Sequence, residues 1–236
     1  MTGAALHIVS YNIRKAMGTD RRRDPHRILS VLKDAQADIV ILQEADLRLG
    51  QRPSALPRDR IGDTGLSAVE VATSAVSLGW HGNAILVRPD WPVLAVDRII
   101  LPGLEPRGAV TAVVTTPMGP LRVIGAHLGL LRRSRQGQQH ALVDWMAAGD
   151  DMPTVVAGDL NEWSARRGLG PLSQVFDLHS PGHSFHARWR LAPLDRIGLS
   201  RDLSLDRIDM LDTAMTRAAS DHLPIRATVR LRHAAP

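Results

Sequence analysis

A chain of 236 residues can bury one substantial core, and one domain over residues 1–236 is the simplest organisation. The absence of cysteine excludes disulfides, thiolate metal sites and cysteine nucleophiles, so any metal must be held by oxygen or imidazole ligands. The formal charge of +5 comes almost wholly from arginine, Lys15 and Lys33 being the only lysines; it suits an anionic partner such as phosphate, and equally a plain arginine-for-lysine bias.

Aromatic residues make up 3% of the chain, too few for an extended base-stacking surface. No apolar run reaches the roughly 18 residues of a transmembrane helix, and the N-terminus lacks the basic region of a signal peptide, so no integral membrane association and a cytoplasmic location are expected.

Leu6 to Tyr11 is an apolar, β-branched run that predicts a strand. After Asp24-Pro25, Arg27 to Gln36 shows Ile28, Leu29, Val31 and Leu32 at helical spacing and predicts a helix, and Asp38 to Gln43 is a continuous apolar strand buried on both faces. Strand, helix, strand predicts a parallel βαβ start. Leu49 to Gly79 has no clear period. Asn83 to Val87, Val93 to Ile100, Ala109 to Thr115 and Leu121 to Ala126 are strands divided by Pro- and Gly-containing breakers, the punctuation of an antiparallel meander. Arg132 to Ala148 is the longest helix, with Leu142, Val143, Trp145 and Met146 on its apolar side, and it precedes a buried strand from Thr154 to Ala157. A helix is expected within Ser164 to Phe176, and strands at Leu194 to Leu199, Leu205 to Leu211 and Pro224 to Leu231. Many strands in both parallel and antiparallel connection, with few helices, imply two mixed sheets packed together and flanked by helices.

Polar residues at the ends of buried strands are held rigidly where loops leave room for a ligand. Asn12, Gln43-Glu44, His127, Asp159 and Asn161 all occupy such positions. Any one of them alone is an ordinary turn former or cap, and their recurrence is the informative point. Glu44, Asp159, Asn161 and Asp221 offer the hard oxygens that Mg²⁺ accepts, and His127 and His222 offer acid, base or charge-stabilising groups. Neighbours on an extended chain point opposite ways, so Asp221 cannot easily orient His222, which needs a carboxylate from elsewhere.

Eight segments in order, Ser10-Tyr-Asn12-Ile, Asp38 to Glu44, Gly82-Asn-Ala-Ile-Leu86, Glu105-Pro-Arg107, Ala126-His127-Leu, Gly158-Asp-Leu-Asn161, Leu194-Asp-Arg-Ile197 and Ser220-Asp-His-Leu-Pro224, resemble the endonuclease/exonuclease/phosphatase superfamily. The resemblance spans Ser10 to Pro224 and implies a four-layer α/β sandwich, two mixed β-sheets face to face and flanked by helices. It also implies a Mg²⁺- or Mn²⁺-dependent phosphoester hydrolase without a covalent intermediate, foremost a phosphodiesterase with nuclease-like chemistry, with a phospholipid-headgroup or phosphomonoester phosphatase as the alternative. Glu44 with Asn12 would be the main metal ligands, with Asp221 near the metal. Asp159 and Asn161 would orient the water or a second metal and hold a phosphate oxygen. His222 would be base or transition-state stabiliser, oriented by Asp195. His127 would meet the scissile phosphate or leaving group, and Arg107 would bind a phosphate oxygen.

The substrate class is wider. DNA, RNA, phospholipid headgroups and soluble phosphomonoesters all suit the chemistry, because loops set specificity on such folds. Arg21 to Arg23 and Arg132, Arg133 and Arg135 are either phosphate-binding or solvated, and Phe185 and Trp189 are expected to anchor their loop. A non-catalytic phosphate-binding module would not need Glu44, Asp159, Asn161 and His222 together, and no G-x-G-x-x-G supports a dinucleotide-binding oxidoreductase.

Overall fold

The computed structural model describes residues 4–164 and 167–232. In chain order its elements are β1 (Leu6–Asn12), α1 (Pro25–Asp34), β2 (Ile39–Gln43), β3 (Ser67–Ala68), β4 (Ala84–Val87), β5 (Val93–Ile100), β6 (Gly108–Thr116), β7 (Gly119–His127), α2 (Arg132–Ala147), β8 (Thr154–Asp159), α3 (Gly170–Ser173), β9 (Asp177–His179), β10 (Asp195–Leu199), β11 (Leu203–Met210), α4 (Ala214–Ala219) and β12 (Ile225–Leu231).

Two six-stranded sheets form, with strand orders β11-β12-β1-β2-β4-β3 and β5-β6-β7-β8-β10-β9. Each contains one parallel pair, β1 with β2 and β7 with β8, and the other pairings are antiparallel. In both parallel pairs a helix, α1 or α2, makes the crossover. The Asp24 side chain accepts the Arg27 N–H at 3.1 Å and Pro25 holds the first helical position, so α1 begins two residues before the expected Arg27.

Alternation along the strands sets the layers. Ile8, Ile39, Ile41 and Ile85 from one sheet meet Val110, Val123, Val155, Ala157 and Ile197 from the other in one buried cluster. The residues of opposite parity, Val9, Tyr11, Val40 and Leu42, pack on Ile28, Val31 and Leu32 of α1. On the far side, Ala109, Ile124 and Val156 pack on Leu142 of α2 and Leu172 of α3. Three apolar clusters are the three interfaces of four layers, because both strand parities are apolar through the sheet centres; the edge strand β5 stays exposed from Val93 to Asp97. The sheets approach closely at Gly125, where an added Cβ would lie 2.8 Å from the Ile41 side chain. No helix among the described residues is long and apolar enough to cross a membrane.

Two expectations need correction, a third holds in part, and one element is new. The proposed meander splits: β4 pairs with β2 in the first sheet, and only β5, β6 and β7 run as a meander in the second. Between Ser164 and Phe176 the described helix is a single turn, Gly170–Ser173, where Pro171 can only begin a helix; residues 165 and 166 of that expectation lie outside the described residues. On α2, Leu142 is buried and Val143, Trp145 and Met146 only partly so. The rest of its buried stripe, Arg135, Gln138 and Gln139, is polar, because these side chains bind loop backbone: Gln138 accepts the Gly129 N–H at 2.8 Å and Gln139 donates to the Gly168 carbonyl at 2.8 Å. Finally, α4 was not anticipated; Thr213 and Thr216 close a capping box at its start.

Candidate active site

The parity that builds the inter-sheet core also aims polar residues into its open end. Asn12 follows Ile8 on the same face of β1, Gln43 follows Ile41, His127 follows Val123, Asp159 follows Ala157, and Asp195 precedes Ile197. Register then gathers them, since Asn12 lies opposite Gln43, and Asp159 lies between His127 and Asp195. All five are buried.

Asp159 is the hub. Its Oδ2 accepts the Asn12 Nδ2–H at 2.9 Å and lies 3.4 Å from His127 Nε2 and 3.6 Å from His222 Nε2. Its Oδ1 accepts the Asn161 backbone N–H at 3.0 Å, and the Asn161 side-chain amide donates to the Leu128 carbonyl at 2.8 Å. Asn161 holds this turn at φ 51°, a left-handed conformation asparagine tolerates better than most residues. Just before it, a Cβ on Gly158 would lie 1.7 Å from the Ala126 carbonyl oxygen. Gly158→Ala is therefore expected to cost about 2–4 kcal/mol of stability, read as a lower midpoint in urea unfolding; an unchanged midpoint would contradict the packing.

His222 Nδ1 lies 2.9 Å from Asp195 Oδ2, so the partner required by strand geometry is the one the family resemblance supplied. Ser184 Oγ donates to the same Asp195 oxygen. The Phe185 ring stands 5.0 Å from the His222 ring. The chain before His222 is tied to β1, with Ser220 Oγ donating to the Asn12 carbonyl at 2.7 Å. Asp221 turns away toward Arg14 Nε at 3.1 Å.

Electrostatics separates the two imidazoles. Burial disfavours charge on His222, but Asp195 and then Asp159 outweigh it and push the pKa up to about 9, so the ring is an imidazolium at neutral pH. Burial, followed by the charges of Arg107 and His222, holds His127 well below its ordinary value and keeps it neutral. Burial raises Asp159 to about 6 against the opposing pull of His222.

Glu44 sits at φ 53° with its carboxylate against the Lys15 ammonium and 3.6 Å from Arg48. Burial, then the Arg48 charge, lowers Lys15 to about 8. Glu44, Asn12, Asp159 and Asp221 line one cavity of about 340 Å³, yet among the described residues no three Asp, Glu, His or Cys side chains cluster as metal ligands. The expected ligand set is thus brought to one cavity but not gathered into one shell: Asn12 Oδ1 accepts the Arg14 N–H at 3.0 Å, and Asp221 and Glu44 face cationic side chains. The donors still suit a hard cation, which needs only one or two carboxylates and keeps several waters.

Arg107 lines this cavity, its guanidinium bound to Glu105 Oε2 at 3.0 Å. Arg21, Arg22 and Arg23 are exposed and line no described cavity. Arg135 is a buried strut, bonded to Glu162 at 3.1 Å and to the Leu130 carbonyl at 2.6 Å. Trp189 stacks on His186 and stays exposed, while Phe185 lines the cavity and does more than anchor its loop. Sequence reasoning missed Lys15, Ser184 and Phe185 as members of the site. A bridge between Phe185 and His222 brings the second and third in, and it joins segments far apart in sequence.

The profile of the Endonuclease/Exonuclease/phosphatase family matches residues 9–222, and the chain belongs to that family. Its members are phosphoester hydrolases that generally use divalent metals. No curated protein matches the sequence. Among solved structures, the chain resembles an endonuclease/exonuclease/phosphatase from Beutenbergia cavernae (20% identity, TM-score 0.73, covering 96% of this chain and 72% of that one). It also resembles a mannosyl-6-phosphatase from Bacteroides thetaiotaomicron (17%, TM-score 0.73, 96% and 100%). A third is D. rerio TDP2 complexed with single strand DNA product (17%, TM-score 0.73, 96% and 99%). At these identities the likeness is one of fold.

Proposed function

We propose that this protein hydrolyses phosphodiesters, with nuclease-like chemistry, by in-line attack of water on phosphorus. The observation that carries the reading is the convergence of His127 and an Asp195-held His222 on the single buried carboxylate of Asp159. Glu44, with Asn12, Asp159 and Asp221 around the same cavity, would hold Mg²⁺ or Mn²⁺, which when bound supplies Lewis-acid neutralisation of phosphoryl charge.

The remaining work falls to the chain. Asp159 orients the attacking water and accepts its proton, and Asn161 fixes the Asp159 carboxylate through its backbone N–H. His222, already charged, donates to a phosphoryl oxygen as negative charge builds, which favours the stabilising role over that of base. His127 serves the leaving-group side and Arg107 a phosphate oxygen, both lining the cavity. A second opening beyond Arg107, at Arg52 and His81, leaves room for a substituent on each side of the phosphorus and supports a diester over a monoester.

With Mn²⁺ the protein should cleave bis-p-nitrophenyl phosphate faster than p-nitrophenyl phosphate. Cleavage of neither, together with no metal binding by calorimetry, would end the enzyme reading. Ser184 acts through Asp195, so Ser184→Ala is expected to lower kcat about 10-fold with KM nearly unchanged; a KM effect alone would mean that Ser184 shapes binding instead.

A further inference from the structure

We infer that a second anion subsite lies beside the catalytic cavity, taking a further phosphate group of a substrate that carries two; the inference rests on the phosphoesterase reading above. A cavity of about 240 Å³ shares Lys15, Glu44, Arg48, Arg107 and His127 with the catalytic one and adds Arg52 and His81.

Its charges do not cancel locally. Three carboxylates line it, and each is already engaged. Glu44 meets Lys15, Glu105 binds Arg107 and the Leu130 N–H, and Asp46 accepts the Leu78 N–H at 2.7 Å and the Gly79 N–H at 3.2 Å. Arg52 makes no ion-pair contact among the described residues, although its charge acts on the neighbouring Asp46 carboxylate. Its one side-chain contact is Nη1 to His81 Nδ1 at 3.3 Å, and that ring nitrogen also lies 3.0 Å from the Pro106 carbonyl oxygen. A nitrogen that gives its proton to Pro106 cannot accept one from Arg52, so the donors of this five-donor planar fork have no side-chain acceptor among the described residues. Such a fork matches a phosphate in geometry and charge.

Backbone conformation points to the same place. Ten non-glycine residues among those described have positive φ, and six of them, Arg14, Lys15, Glu44, Arg52, His81 and Asn161, line the two cavities. Each such residue is strained and persists where its surroundings impose it. Arg52 (φ 52°) and His81 (φ 49°) belong to the second cavity and not the first. Arg48 and Arg107 border both, giving a continuous basic path from the scissile phosphate to the second one.

The test is calorimetric binding of thymidine 3′,5′-bisphosphate against the 3′- and 5′-monophosphates in excess Mg²⁺, a readout that needs no turnover. The wild-type protein should bind the bisphosphate at least about 10-fold more tightly than either monophosphate. Arg52→Gln should cut that margin below about threefold, and Arg52→Lys should restore part of it because charge returns without the fork. Equal wild-type affinities would overturn the subsite without any variant, as would a full margin in folded Arg52→Gln protein. Failure to hydrolyse bis-p-nitrophenyl phosphate would instead remove the phosphoesterase reading and leave this binding comparison standing.

Discussion

Replacing His222 with alanine should lower kcat on bis-p-nitrophenyl phosphate by at least about 100-fold, equivalent to about 2.7 kcal/mol of transition-state stabilisation. The ring is buried, charged and 3.6 Å from Asp159, so its loss removes a fixed positive donor where the phosphoryl oxygens gather charge. It also leaves the Asp195 carboxylate buried beside only Ser184, which costs stability. His222→Asn separates the two effects, since an asparagine amide can still donate to Asp195 but carries no charge. Folded His222→Asn protein should retain the kinetic defect, and wild-type turnover in that variant would remove His222 from the chemistry. Asp159→Ala should be at least as severe, because one carboxylate serves Asn12, Asn161 and both histidines.

The second large effect is on metal. Glu44→Gln is expected to weaken Mn²⁺ binding at least about 10-fold by calorimetry, with kcat falling at sub-saturating metal and recovering in part at high metal. Glu44 lines the cavity with protein partners, Lys15 and Arg48, that are long flexible cations able to swing away. Asp221 has a similar partner in Arg14, whereas Asp159 is held by Asn12 and Asn161. Unchanged Mn²⁺ affinity in Glu44→Gln would mean that the metal, if held, is held elsewhere.

Much of this site follows from strand parity. Once Ile8, Ile41, Val123, Ala157 and Ile197 are taken as facing the inter-sheet core, Asn12, Gln43, His127, Asp159 and Asp195 must face it too, because they share those faces. What parity could not supply was strand order. That Asp159 lies between His127 and Asp195 depends on β8 pairing parallel to β7 and antiparallel to β10, a long-range choice that no local pattern carries. The crossing of the chain from β4 to the second sheet was hidden for the same reason. A run of strands divided by turn residues looks like a meander whether or not successive strands stay in one sheet.

Side chains escaped the reading where polarity and burial part company. Arg135, Gln138 and Gln139 look like the solvated face of α2, yet they are buried and fasten the loops that follow β7 and β8. Lys15 stands out in the sequence only as one of two lysines, and nothing local showed that its left-handed backbone turns its ammonium onto Glu44. Glu105-Pro-Arg107 was legible as a motif, but its internal ion pair at 3.0 Å emerged only from the fold.

The most direct measurement is the initial rate of bis-p-nitrophenyl phosphate hydrolysis by the wild-type protein across a Mn²⁺ titration, with an EDTA-treated sample as the zero point. A rate that rises to saturation with metal and vanishes in EDTA is the expected result. Hydrolysis indifferent to EDTA, or none at any Mn²⁺ or Mg²⁺ concentration, would contradict a metal-dependent phosphodiesterase built on Glu44, Asp159 and His222.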